Sequence, residues 1–165
     1  TYPEYKNGWN VIANPDGTIE LQGKQFNYLF WDGQMETNKL KFDLNEGYVV
    51  NSTELTSFLD STLTSIGLNS KETADFITYW VPDMMKNEKN YMHFMLNEDY
   101  DQIAGIKVNP KPNSQLRLFM VWSNFADETP RVFIPQTFPK FTRNKFTLIE
   151  WGGSELPKLF EKTTN

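Results

Sequence analysis

The sequence predicts an α+β domain: a mainly antiparallel sheet of about six to nine strands, with a two-helix hairpin over residues 51–86 packed on one face. Three observations carry this expectation. Turn signals built on glycine, proline and asparagine punctuate both ends of the chain. Between them lies a stretch whose apolar residues recur at spacings of three and four. Aromatic residues, which favour strands and bury large areas, make up 15% of the chain. Strands on either side of a helical pair, rather than β-α-β alternation, favour antiparallel pairing.

The first third reads as hairpins. Gly8–Ala13 is a short strand, followed by the turn Asn14-Pro15-Asp16-Gly17, where Pro fixes φ and Gly supplies a positive one. Thr18–Leu21 returns, Gln22-Gly23-Lys24 turns again, and a strand is expected at Phe26–Trp31 before Asp32-Gly33. Leu40–Asp43 and Tyr48–Val50 form a further pair around Asn45-Glu46-Gly47.

The middle is helical. Asn51 and Glu54 stand as an N-cap and its box partner. Leu55, Phe58, Leu59, Leu63 and Ile66 then share one face, and Gly67 closes the helix with a left-handed cap. Asn69 with Glu72 repeats the start signal ahead of Phe76, Ile77, Trp80, Val81 and Met84, with Pro82 expected to kink or restart the helix.

Beyond the helices, Tyr91–Leu96 is apolar apart from His93, which predicts burial on both faces. Ile103–Val108 and Leu116–Trp122 read as strands separated by the two prolines of residues 109–113. Arg131–Ile134, between Pro130 and Pro135, is an edge strand or extended connection. Phe146–Trp151 is the last strand, stopped by Gly152-Gly153, and the tail from about 157 frays or forms a short helix. The expected core draws on Leu55, Phe58, Leu59, Leu63, Phe76, Ile77, Trp80, Phe94, Leu118, Met120 and Leu148.

The totals narrow the function. A chain of 165 residues is the size of one globular domain spanning 1–165 and buries enough surface to fold without a staple. It has no cysteine, which removes thiolate metal sites, thiol nucleophiles and disulfides together. Net charge is −5, with 21 acids against 16 bases, and no basic run exceeds two residues. Nucleic acid and anionic lipid are therefore not expected as partners. No apolar stretch nears the roughly 18 residues of a membrane span, so no membrane insertion is expected. No signal peptide is visible, and a chain opening at Thr1-Tyr2-Pro3 reads as a mature or excised piece.

Few residues carry chemistry. A lone His93 supplies no multi-histidine metal site, and no Gly-x-Ser-x-Gly elbow accompanies it. Its place in an apolar strand points to a structural histidine, with a general base or a binding group as the other readings. Asn97-Glu98-Asp99-Tyr100-Asp101 is the densest acidic cluster. It reads as a solvated turn, a weak calcium site through Glu98, Asp99 and Asp101, or part of a glycosidase-like carboxylate pair in which Glu150 is a further candidate. Gly152-Gly153 lacks any phosphate-loop context, and no cofactor is expected. Asn51-Ser52-Thr53 is a formal glycosylation sequon that also serves as a helix start. Lys and Asn are plentiful enough to permit an isopeptide crosslink without pointing to one.

Trp9, Trp31, Trp122 and Trp151 lie in or at the end of expected strands. Either they are core, or two or three share an exposed face that stacks on sugar or an extended peptide.

Taken together, Tyr5–Trp9, Asn14-Pro15-Asp16-Gly17-Thr18, Tyr28-Leu29-Phe30-Trp31-Asp32-Gly33, Phe76–Pro82 and Ile149-Glu150-Trp151-Gly152-Gly153 resemble a family of uncharacterised domains from secreted or surface proteins of bacteria. The resemblance implies one domain and an extracytoplasmic setting, and brings no catalytic residues with it. The expected function is a non-enzymatic module that binds carbohydrate or another protein domain through aromatic residues, or is structural. The alternative is a hydrolase using paired carboxylates.

Overall fold

A computed structural model describes residues 1–34, 40–126, 131–156 and 159–160. Two hydrogen-bonded sheets form in place of one, and they fall in separate compact units, Thr1–Glu36 and Thr37–Asn165.

The first unit holds three short antiparallel strands: β1 (Ile12–Ala13), β2 (Ile19–Leu21) and β3 (Lys24–Phe26). The β1–β2 turn is stitched as its sequence predicts. Gly17 N–H donates to Asn14 O at 3.0 Å, and Asp16 Oδ1 accepts from Thr18 N–H at 2.9 Å. The strand expected at Phe26–Trp31 is displaced toward the N-terminus. Gln22 and Gly23, both at positive φ, make the tight turn that fixes β3 at Lys24–Phe26, and only Phe30 pairs beyond it, in an isolated bridge to Tyr2.

The second unit carries β4 (Tyr48–Asn51), α1 (Leu55–Ile66), α2 (Ser70–Met84), β5 (Lys89–Leu96), a short α3 (Glu98–Asp101), β6 (Ser114–Asn124) and β7 (Thr147–Glu155). The sheet order is β4-β5-β6-β7, antiparallel except for the parallel β6–β7 pair. The fold is α+β. Two expected strands are not formed: residues 40–43 are irregular, and residues 102–108 leave α3 as turn and loop. In the latter, Ile103 and Ala104 N–H groups both bond back to Tyr100 O, so the backbone is spent locally. Arg131–Ile134 is an extended connection in which Ile134 alone bridges to Glu46.

The helix signals divide. Asn69 and Glu72 form a full capping box, Glu72 N–H donating to Asn69 Oδ1 at 2.9 Å and Asn69 N–H to Glu72 Oε2 at 2.8 Å. Asn51 does not act as an N-cap. A 3₁₀ turn over Ser52–Glu54 intervenes, α1 starts one turn later, and the Asn51 amide donates to Glu54 instead. Gly67, at φ 124°, ends α1 as expected. Pro82 lies inside α2 without ending it, in the last turn of the helix.

Core packing follows strand alternation. Val50, Met92, Phe94, Leu116, Leu118, Met120 and Trp122 join Leu55, Leu59, Leu63, Ile66, Phe76 and Met84 in one buried cluster, with Phe58, Ile77 and Trp80 packed partly buried against it. Leu148 is not part of this cluster; Ile149 and Trp151 take that place, because odd positions of β7 share the face of even positions of β6. The glycines at 152–153 do not stop β7. A Cβ on Gly153 would stand 2.6 Å from Met120 O and 3.1 Å from the Trp80 ring, so the missing side chain lets the helix-borne indole reach the sheet. The expected tail from 157 falls mostly outside the described residues; within it, Phe160 is buried.

Substituting Asn69 and Asn51 in turn should separate the cap from the residue that does not cap. Asn69→Ala should cost about 1 kcal/mol in urea unfolding, and Asn51→Ala under about 0.5 kcal/mol, because only the former satisfies a helix amide.

Candidate functional site

Burial and chemistry distinguish three places, each built from its own elements. The first centres on Arg117, in the middle of β6 on the face away from the main core. Its side chain is fully buried. An isolated charge there would cost several kcal/mol, and each of its three nitrogens has a partner. Nε pairs with Glu150, Nη1 pairs with Asp101, and Nη2 donates to Ala104 O at 2.7 Å. The guanidinium lies 4.3 Å from the centre of the Tyr100 ring. Tyr100 is itself buried, which with the adjacent Glu150 carboxylate pushes its phenol well above the usual value. Glu150 is the register partner of Arg117 on β7, so strand pairing delivers it, whereas α3 delivers Asp101 and Tyr100.

Two of the four candidate acids, Asp101 and Glu150, are thus brought together, with a guanidinium between them. A glycosidase acid requires a carboxyl held protonated in an apolar pocket. Here both carboxylates face a cation. Glu98 and Asp99 do not join them, and no group of three His, Asp or Glu side chains among the described residues is placed to hold a metal ion.

The second place surrounds His93 on β5. The Gln136 side chain accepts from Phe94 N–H at 2.8 Å and donates to Phe94 O at 2.9 Å, taking the place of a neighbouring strand where β4 has ended. The same Nε2 stands 3.2 Å from His93 Nε2, and His93 Nδ1 stands 3.3 Å from Glu46 O. An amide donating to Nε2 puts the ring proton on Nδ1, donated to Glu46 O, which describes a neutral imidazole. Phe42 covers the ring at 4.9 Å. Burial pushes the His93 pKa below its ordinary 6.5, against the Glu46 carbonyl and the more distant Glu46, Asp99 and Asp43 charges. The surroundings are those of a structural histidine.

The third place is the aromatic surface of residues 1–34, where seven rings accompany strands of two or three residues. Tyr2, Tyr5, Tyr28 and Trp31 are exposed, Trp31 at 39% and the tyrosines above half. Trp9 is half-buried, its Nε1 donating to Pro3 O at 3.0 Å and its ring edge-on to Tyr5 at 4.9 Å. Tyr2 packs edge-on to Phe26, with Lys24 Nζ 5.1 Å from the Phe26 ring centre.

The four tryptophans singled out by the sequence therefore part company. Trp9 and Trp31 belong to the first unit. Trp122, 3% exposed, is core, and Trp151 packs on Phe76 at 5.4 Å and Tyr79 at 6.2 Å. Tyr2 and Tyr5 were legible only as density: seven rings in 34 residues exceed what such short strands bury.

No protein-family model and no solved structure matches the chain. A curated relative from Butyrivibrio fibrisolvens, described as an uncharacterized protein in the bglA 3' region, is 56% identical over 25 residues. That match covers 15% of this chain, which spans about a quarter (26%) of the relative's length. No helix among the described residues is long and apolar enough to cross a membrane.

Two measurements test these environments. Arg117→Met should destabilise the protein by about 3–5 kcal/mol, because it strands the largely buried Glu150. Adding Glu150→Leu should recover part of that loss, and Asp101→Asn, at a site 48% exposed, should cost under about 1 kcal/mol. For His93 the folded pKa lies below the unfolded one, so the unfolded chain takes up the proton first. Stability should be full above about pH 6.5 and fall as pH drops below it; a His93→Gln variant should show a shallower decline between about pH 7 and 5 in thermal melts.

Proposed function

We propose that this chain is a non-enzymatic carbohydrate-binding module of a secreted or surface protein, and that residues 1–34 carry the binding surface. The observation that supports this most directly is the exposure of Tyr2, Tyr5, Tyr28 and Trp31 together in one unit. Exposed rings beside neutral amides suit pyranose rings, which offer apolar faces rimmed by hydroxyls. The amides are abundant: Asn7, Asn10, Asn14, Gln22, Gln25, Asn27 and Gln34 lie in the same stretch, against two lysines and four acids. Trp9 and Trp31 remain in the proposed surface, whereas Trp122 is core and Trp151 packs, partly buried, against that core in the second unit. The helices act there as a hairpin over one sheet face, a scaffold rather than a site. The extracytoplasmic setting rests on the resemblance of the quoted segments to domains of that kind. The carboxylate hydrolase is the weaker reading, since Glu150 and Asp101 both serve Arg117.

The test is retention on insoluble cellulose, xylan and chitin, with titration of soluble oligosaccharides followed by tryptophan fluorescence. The expected result is binding to at least one glycan, weakened about fivefold by each of Trp31→Ala and Tyr28→Ala, a loss of about 1 kcal/mol per ring. Retention on none of these polymers, or binding indifferent to both substitutions in folded protein, would falsify the proposal.

A further inference from the structure

The sheet of the second unit ends on one side in β4, four residues long, and on the other in β7, nine residues long. In a parallel ladder alternate residues face the neighbouring strand. Leu156 N–H donates to Trp122 O at 2.7 Å, which fixes the phase. Residues 148, 150, 152 and 154 therefore turn their backbone groups toward β6, and Thr147, Ile149, Trp151, Gly153 and Glu155 turn theirs outward. Among the described residues no strand pairs with that outward row.

Natural edge strands are usually blunted by lysine, proline, a bulge, shortness or an inward-pointing charge. β7 has only the last of these, Glu150, whose charge is held by Arg117; its nine residues run in unbroken register with β6 and include no Lys, Arg or Pro. An aromatic shoulder borders the edge, where Tyr79, 52% exposed, lies 6.2 Å from the Trp151 ring and 4.8 Å from Trp80.

We infer that β7 is the interface for a second copy of this chain, the two β7 strands pairing antiparallel about a twofold axis through Trp151. The strand is complementary to itself in that register. Trp151 meets Trp151, and each Ile149 meets a Gly153. Thr147 meets Glu155, Glu150 meets Gly152, and Leu148 meets Ser154. No carboxylate opposes another, and both glycines stand opposite larger residues, leaving them room. The outward backbone groups fall on hydrogen-bonded pairs, and the two Tyr79–Trp151 shoulders meet on the helical side of an eight-stranded sheet. A different protein supplying an extended segment would need no such self-complementarity.

Sedimentation equilibrium of the 165-residue chain tests this from about 1 to 500 µM, a range that reveals a mass-action dimer. The expected result is a monomer–dimer equilibrium. Thr147→Glu, which sets a carboxylate opposite Glu155 at two symmetric places, should weaken it about tenfold, and Thr147→Glu/Glu155→Lys should restore it. In this cysteine-free chain, Leu148→Cys/Ser154→Cys should oxidise to a covalent dimer. The two positions lie about 20 Å apart along one strand and cannot bridge within a copy. A folded protein that remains monomeric throughout overturns the inference and leaves the edge to a strand from another chain. So does a dimer that is insensitive to Thr147→Glu and fails to crosslink.

Discussion

The second unit is organised around one charge that must be neutralised. Arg117 sits fully buried at the centre of β6, flanked in the same strand by apolar residues on both faces. A cation in that position is tolerable only if its partners arrive together with it. Glu150 arrives through the β6–β7 register, since the two residues are directly paired. A slip of one residue would carry Glu150 to the helical face and leave both charges stranded in apolar surroundings. Asp101, Tyr100 and Ala104 arrive through the chain reversal after β5, which explains why residues 98–104 curl into a helical turn against the sheet rather than extending as a strand. The ion cluster thus sets register and covers one face of the sheet in the same contact.

The opposite face obeys a different logic, that of apolar fit. α1 and α2 share their buried stripes with the even positions of β5 and β6, and the capping box at Asn69 fixes where the second helix begins. Glu72 has a double duty here: besides closing the box it pairs with Arg143, which also donates to Gly67 O at 3.1 Å. The turn between the helices is therefore tied to the segment that leads into β7. Polar contacts hold the ends of elements, and burial holds their middles.

Function separates along the same division. The titratable candidates are engaged in structural contacts: buried His93 with Gln136 and Glu46, and Glu150 and the half-exposed Asp101 with Arg117. What remains at the surface is the exposed rings of a small unit with short strands, and the outward backbone of a long edge strand. Both are features that the proposed binding roles draw on.

The sequence by itself determined the local features whose signal is short in range. The face of α1, the Gly67 and Asn69 caps, the Asn14–Gly17 turn and the doubly buried strand at Tyr91–Leu96 each follow from spacing or turn chemistry within a few residues. Tertiary structure decided what depended on partners distant in the chain. It carried β7 through Gly152-Gly153 because Trp80 needed the space, and chose Ile149 over Leu148 for the core through the phase of the β6 ladder. It paired Asp101 of the acidic cluster with an arginine 16 residues away, and it split the strands into two sheets. The physical reason is common to all of these. Periodicity and caps are properties of one segment, whereas register, close approach and charge neutralisation belong to pairs of segments, and only the fold brings the pairs together.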